Sequence, residues 1–182
     1  MANKKLWYIS KYANISRYGA DTRQAYLCKE LSKLNFDSSL ITSNSSHLYR
    51  DLPKFNQSFI SENYSGFQVF WINTLKYLPG SIFFRFLSWV HFEFGVLRLI
   101  FRKNIRKPDI VICSSLSILS VISGAYLKFR FGTKFIFEVR DIWPKSLVEL
   151  KGLSRCHPVV LSLKMIEYIG YRYSDAIVGT MP

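Results

Sequence analysis

Short apolar runs alternate with longer amphipathic stretches along the chain, the pattern of an α/β protein. Leu6-Trp7-Tyr8-Ile9, Ser39-Leu40-Ile41-Thr42, Ile110 to Cys113, Thr133 to Val139 and Asp175 to Gly179 read as strands. Within the fourth, Phe135-Ile136-Phe137 is β-branched and aromatic without a polar break, as in a strand buried on both faces of a parallel sheet. Ser58 to Ser61 and Phe67 to Ile72 predict two strands joined by a turn near Asn63 to Gly66. The polar segment before them, with Pro53 and several Ser and Asn, is expected to be exposed and mobile.

Helical patterns fill the intervals. Asp21 with Gln24 three residues on has the form of a capping box, opening a helix to about Leu34 whose inward face is Ala25, Leu27, Cys28, Leu31 and Leu34. Ser114 and Ser115 are placed to cap a helix from Leu116 to about Phe129, Pro144 to open one through Lys145-Ser146-Leu147, and Pro158 to Tyr173 completes the set. Strands and helices alternating at this spacing predict one Rossmann-like, doubly wound, mostly parallel sheet in 3-2-1-4-5-6 order, spanning residues 1–182 as a single domain.

The longest apolar stretch, Ser81 to Lys103, is too interrupted by Arg85, His91, Glu93 and Arg98 for an ordinary membrane span. At about 100° per residue, Phe83, Phe86, Leu87, Val90, Phe94, Leu97 and Phe101 form a stripe expected to face the sheet. Trp89, Phe92, Val96 and Leu99 lie opposite, with Arg85 and Lys103 alongside, and Arg102, Arg106 and Lys107 flank the helix. That second side is expected either to contact an anionic membrane surface or to be covered by another helix or a partner.

Composition narrows the setting. Forty-nine per cent hydrophobic residues over 182 positions supply the core of one domain and argue against disorder. Twenty-five basic against 12 acidic residues, net +13, favour nucleic acid, anionic lipid or phosphorylated substrates without choosing among them. No nucleic-acid motif is present and the cations are scattered, so nucleic acid is the weakest of these. Cys28, Cys113 and Cys156 stand apart without metal-site spacing and fit a reducing compartment. Leu6 to Ile9 is too short for the apolar core of a signal peptide, and a cytoplasmic domain, peripheral at the inner membrane face if attached at all, is expected.

Chemistry concentrates in Lys134 to Leu150, KFIFEVRDIWPKSLVEL. Glu138, Arg140 and Asp141 crowd the carboxyl end of an apolar strand, where open α/β sheets bind ligands. In the expected order the carboxyl ends of the first, fourth and fifth strands converge. Arg17, Tyr18 and Gly19, Ser114 and Ser115, and Arg140, Asp141 and Trp143 are then the candidate lining of one basic crevice, whose helix amino termini suit a phosphate. A lone Gly19 without G-x-G-x-x-G disfavours NAD or FAD. The purely structural alternative is an Arg140–Asp141 ion pair, with Trp143 as core filler and a plain strand-to-helix turn at Gly19.

Glu138-Val139-Arg140-Asp141-Ile142-Trp143-Pro144-Lys145-Ser146-Leu147, followed by Gly152-Leu153 and His157-Pro158, resembles the N-terminal domain of family 4 glycosyltransferases, most closely the subgroup that builds bacterial O-antigen and capsule. The likeness runs from Lys5 to Pro182. It implies the N-terminal, acceptor-side half of a GT-B fold that moves a sugar, with retention, from a nucleotide-sugar donor to a lipid-linked saccharide, with no cofactor and no required metal. By position Gly19 matches the loop that approaches the donor diphosphate. Arg140 falls where many members carry a catalytic-region histidine, with Asp141 beside it, so the resemblance assigns catalysis to Arg140 and Asp141 and ligand contact to Trp143. Two departures stand out: one glycine replaces the usual pair, and Arg140 cannot serve as the acid or base that histidine can. The family's donor pocket, with two glutamates seven residues apart, has no counterpart in these residues. A fragment, a truncated gene product or one half of a two-chain enzyme, inactive alone, is therefore expected. The rival expectation is a non-catalytic basic module that binds a membrane surface or nucleic acid.

Overall fold

The computed structural model describes residues 3–46, 48, 49, 51–77, 82–145, 148, 149, 152 and 154–179. One sheet holds β1 (Lys5–Ile9), β2 (Asp37–Ser43), β3 (Phe59–Tyr64), β4 (Phe67–Ile72), β5 (Ile110–Ser114), β6 (Lys134–Val139) and β7 (Ala176–Gly179), in the order β3-β4-β2-β1-β5-β6-β7. All neighbours are parallel except β3 and β4. Setting β3 aside leaves the expected 3-2-1-4-5-6 arrangement, and β3 adds an antiparallel edge through a tight hairpin. Its turn residues Ser65 and Gly66 have φ of 46° and 90°, the paired positive values that a two-residue hairpin turn demands. The protein has a mixed α/β, Rossmann-like fold.

Successive residues of β1 point into opposite cores, as the pleat requires. Trp7 and Ile9 join the core roofed by α2 (Ile82–Phe101), α3 (Ser120–Phe131) and α4 (Pro158–Tyr173), while Leu6 and Tyr8 join the core roofed by α1 (Arg23–Lys33). Cys28 of α1 is fully buried there, and Leu34 beyond the helix end is exposed. The segment after β2 is only partly exposed: Asn44, Ser45 and Leu52 are buried.

Helix α2 sits the opposite way up from the sequence expectation. Trp89, Phe92, Val96 and Leu99 are 5, 0, 0 and 0% exposed and pack on the sheet, whereas Phe83, Phe94 and Phe101 are 69, 58 and 64% exposed. Trp89, Phe92, Val96 and Leu99 are therefore core residues and do not contact a membrane. The reason lies in shape. Gly95 lies so close to β4 that a Cβ there would overlap Ile72 Cγ2, and Ser88 is buried with its hydroxyl bonded to Leu75 O at 2.8 Å. Small side chains on this side let the helix descend onto the sheet; the phenylalanine stripe has none.

Two caps also differ. Asp21 does not cap α1; its carboxylate accepts from Ser16 N at 2.8 Å and from Tyr64 Oη, and Thr22 at the N-cap position spends its hydroxyl on the backbone of Asn14 rather than on the helix. Ser114 and Ser115 do not cap α3, because Ser115–Ser117 form a 3-10 turn and the helix starts at Ser120. Its free amide at Ser123 is met from α2 by Glu93, whose Oε1 accepts from Ser123 N at 2.9 Å and from Ser123 Oγ. After Pro144 one helical bond is described, Val148 N to Pro144 O at 3.3 Å; Ser146 and Leu147 lie outside the described residues.

Candidate functional site

At the carboxyl ends of β1, β5 and β6 a cleft of about 440 Å³ opens. The β1–α1 connection and the first turn of α1 contribute Tyr12, Thr22, Arg23 and Gln24, and the β2–β3 connection contributes Leu48 and Tyr49. Helix α2 contributes Arg85 and Trp89, the turn after β5 Leu116, and the loop after β6 Arg140, Asp141 and Trp143.

The Arg140–Trp143 loop is held from below by one residue. Ser115 Oγ accepts from Arg140 N at 2.8 Å and Asp141 N at 2.9 Å and donates to Asp141 O at 3.2 Å, while Ser115 O accepts from Trp143 Nε1 at 2.8 Å. Ser115 is completely buried, so it is a positioning residue rather than a ligand contact. Trp143 meets Trp89 edge to face at 5.2 Å, and Trp89 Nε1 donates to Tyr12 Oη at 2.7 Å. Elements distant in sequence thus share one rigid aromatic wall.

The cleft's charge is mostly positive, with Arg23, Arg85 and Arg140 set against the Asp141 carboxylate. Arg23 pairs with the buried Glu138 at 3.0 Å, which commits one of its cations. Arg85 and Arg140 have no carboxylate within ion-pair distance among the described residues, and Arg85 Nε is buried without a hydrogen-bond partner. Burial raises the Asp141 carboxyl above the usual range, with Arg140 pulling the other way. Behind Tyr12 lies Lys11, fully buried, its Nζ bonded to Ser45 O at 3.0 Å and placed over the rings of Tyr12 and Tyr77 at 4.9 and 5.4 Å. Desolvation, helped by the Arg85 charge, lowers the Lys11 amine to about 7.

Of the sequence candidates, Arg140, Asp141 and Trp143 line this cleft, and so do Arg85 and Trp89, both assigned from the sequence to a membrane-facing side. Arg17 and Tyr18 do not: Arg17 pairs with Glu62 of β3, and Tyr18 packs edge-on against Trp71 at 5.2 Å. The loop's 3-10 turn, Ser16–Tyr18, turns both towards the hairpin edge. Gly19, with φ of 134°, stands just outside, where a Cβ would lie 3.5 Å from the ring of Tyr49. Ser114 is buried and lies outside the lining, and Lys103 is exposed beyond the end of α2. The contributions of Tyr12, Arg23, Gln24 and Tyr49 went unseen in the sequence. Arg23 and Gln24 were accessible to it, since they stand in the first turn of the helix that follows β1. Among the described residues no cluster of three His, Cys, Asp or Glu is arranged to hold a metal ion.

No family model and no curated protein sequence matches the chain. Among solved structures, 97% of it aligns with a mutation variant of SsGBP at 9% identity and a TM-score of 0.26, spanning about half of that protein (48%). The FeoB G-domain from Methanococcus jannaschii aligns over 98% of this chain and 86% of its own, again at 9% identity and a TM-score of 0.26. Likeness at this level carries no inference about activity. No described helix is long and apolar enough to cross a membrane.

Proposed function

We propose that this domain is the acceptor side of a glycosyltransferase that moves a sugar from a nucleotide-sugar donor to a lipid-linked saccharide in the assembly of a surface polysaccharide. The observation that supports it is the cleft itself: Arg140 and Asp141 stand at the end of β6 in a hollow walled by aromatic rings and by the guanidinium groups of Arg23, Arg85 and Arg140, the last two without an ion-pair partner among the described residues. Aromatic walls suit the faces of sugar rings, and fixed guanidinium groups suit charge on a departing diphosphate. In this reading Arg140 stabilises that charge, Asp141 orients or deprotonates the acceptor hydroxyl, and Trp143 bounds the sugar. Burial raises the Asp141 carboxyl, the direction that makes a carboxylate a better base. The donor pocket belongs to a second half, on the same polypeptide or another.

The test is transfer of a labelled sugar to a lipid-linked acceptor with the donor-binding half supplied. Arg140→Gln and Asp141→Asn should each lower kcat at least a hundredfold with the fold retained, and unchanged rates in both would reject the assignment. The 182-residue chain alone should transfer nothing.

A second reading, attachment to an anionic membrane surface, is favoured by the outward side of α2. Phe83, Leu87, Phe94 and Phe101 are exposed there, with exposed Arg98, Arg102 and Lys103 on or just beyond the helix. Flotation with anionic vesicles should be lost in Phe94→Glu; equal flotation of variant and wild type would remove this reading.

A further inference from the structure

Two cations line one wall of the cleft and a third lies behind it, and among the described residues no carboxylate is within ion-pair distance of any of them. Arg85 of α2 and Arg140 of the loop after β6 line that wall, and Lys11, from the segment that follows β1, is buried behind Tyr12. Buried charge is normally compensated, since an isolated ion in a low-dielectric setting costs several kcal/mol. Arg23, on the same cleft, obeys the rule through Glu138. Arg85 does not, and its Nε is a buried donor with nothing to donate to. Lys11 has only a backbone carbonyl, Ser45 O, and two tyrosine faces. Arg85 and Arg140 are half-buried, and within the cleft only the Asp141 carboxyl, raised by burial, stands near them, which leaves charge for an anion to neutralise.

We propose that the cleft is a phosphate site in which Arg85 and Arg140 bind one phosphoryl or diphosphoryl group, with Lys11 as a third cation behind the Tyr12 wall. This deepens the proposed transferase reading and rests on the same cleft. Arg85 provides a guanidinium fork suited to phosphate oxygens, and its free Nε is the donor the anion satisfies. Lys11 acts through space, because Tyr12 stands between its ammonium and the hollow.

The arrangement has a signature that simple attraction to a basic surface lacks. The titratable and charged groups around Lys11 are Arg85 and His91 of α2, Tyr12 on its own segment and Tyr77 before α2. Burial and the cations Arg98 and Lys11 lower His91, and burial raises Tyr12, so neither supplies charge of either sign near neutral pH. With its amine at about 7, Lys11 is about nine-tenths neutral at pH 8 in the empty cleft. A bound anion favours the ammonium and raises that value, so binding at pH 8 takes up a proton through Lys11, whereas at pH 6 Lys11 is already charged and uptake there belongs to Asp141, raised by burial beside Arg140, and to His91.

The probes are a short-chain prenyl diphosphate sugar and UDP-glucose, both diphosphate diesters with no titrating phosphate proton between pH 6 and 9. Calorimetry at pH 6 and pH 8, in two buffers of different ionisation enthalpy, measures affinity and proton uptake together. At least one probe should bind. Its affinity should fall tenfold or more in both Arg85→Gln and Arg140→Gln, and the uptake at pH 8 should vanish in Lys11→Met. Binding confined to the prenyl compound identifies the lipid carrier as the source of the phosphate, and binding confined to UDP-glucose the nucleotide donor; either supports the site. Absence of binding by both probes overturns it, as does wild-type affinity in Arg85→Gln. Should Lys11→Met not fold, the absence of proton uptake by wild type at pH 8 overturns the role of Lys11. Binding that depends on both arginines, in a protein that transfers no sugar when given its donor half, would leave this inference standing while the transferase reading fails.

Discussion

Replacing Gly95 by alanine decides, by the sign of one free-energy change, which way up α2 lies. In an exposed helix interior the substitution stabilises by about 1 kcal/mol, because alanine has the higher helix propensity. Here a Cβ at position 95 would overlap Ile72 Cγ2 and lie 3.5 Å from Ile72 Cβ. Ile72 is fully buried on β4, β-branched and stiff at χ1, so it has little room to yield. Overpacking of that kind costs about 1–3 kcal/mol, and with the methyl inside the Ile72 envelope the upper half of that range applies. Subtracting the propensity gain leaves a net loss of about 1–2 kcal/mol. Urea unfolding followed by far-ultraviolet circular dichroism measures it. The double variant Gly95→Ala, Ile72→Ala should be less destabilised than the sum of the singles, since the second change removes the obstructing methyl. A Gly95→Ala protein as stable as wild type, or more so, would mean that position 95 faces solvent. Arg85 and Trp89 would then leave the cleft, and the site with them.

Glu93 is fully buried, and desolvation raises its carboxyl to about 8 against two hydrogen bonds from Ser123 that lower it. A folded-state value above the unfolded one means the protein is favoured while the group is neutral in both states. Stability is thus complete below about pH 4.5 and is lost as pH rises to about 8, by roughly 3–5 kcal/mol in all. Glu93→Gln should remove that slope, and parallel pH–stability curves for variant and wild type would contradict it. Ser115→Ala deletes the hydroxyl that fixes Arg140 and Asp141; it should cost about 1–3 kcal/mol and speed amide hydrogen exchange at both residues, and unchanged protection there would show that the loop is held by other means.

The sheet was legible because its information is local. Short β-prone runs between turn signals located all seven strands, β3 with a later end than expected, and Glu138-Val139-Arg140-Asp141 marked the strand end that opens into the cleft. The caps expected at Asp21 and Ser115 failed because partners brought in by the tertiary structure take those side chains. Asp21 and Ser115 have the right chemistry for caps, but nearer donors claim them: Ser16 N and Tyr64 Oη in one case, the amides of Arg140 and Asp141 in the other.

Sequence alone determined that this is an α/β protein with polar residues gathered where β6 ends, because hydrophobic period and strand length are properties of neighbouring residues. Only the tertiary structure decided which side of α2 is buried. Both stripes of that helix repeat at the helical period and both are apolar, so periodicity gives them equal standing. What separates them is fit: Gly95 permits close approach to β4, buried Ser88 bonds the backbone at Leu75 just beyond it, and the bonds Trp89 to Tyr12 and Glu93 to Ser123 join residues 77 and 30 positions apart. That choice carried Arg85 out of a supposed membrane face and into the cleft beside Arg140.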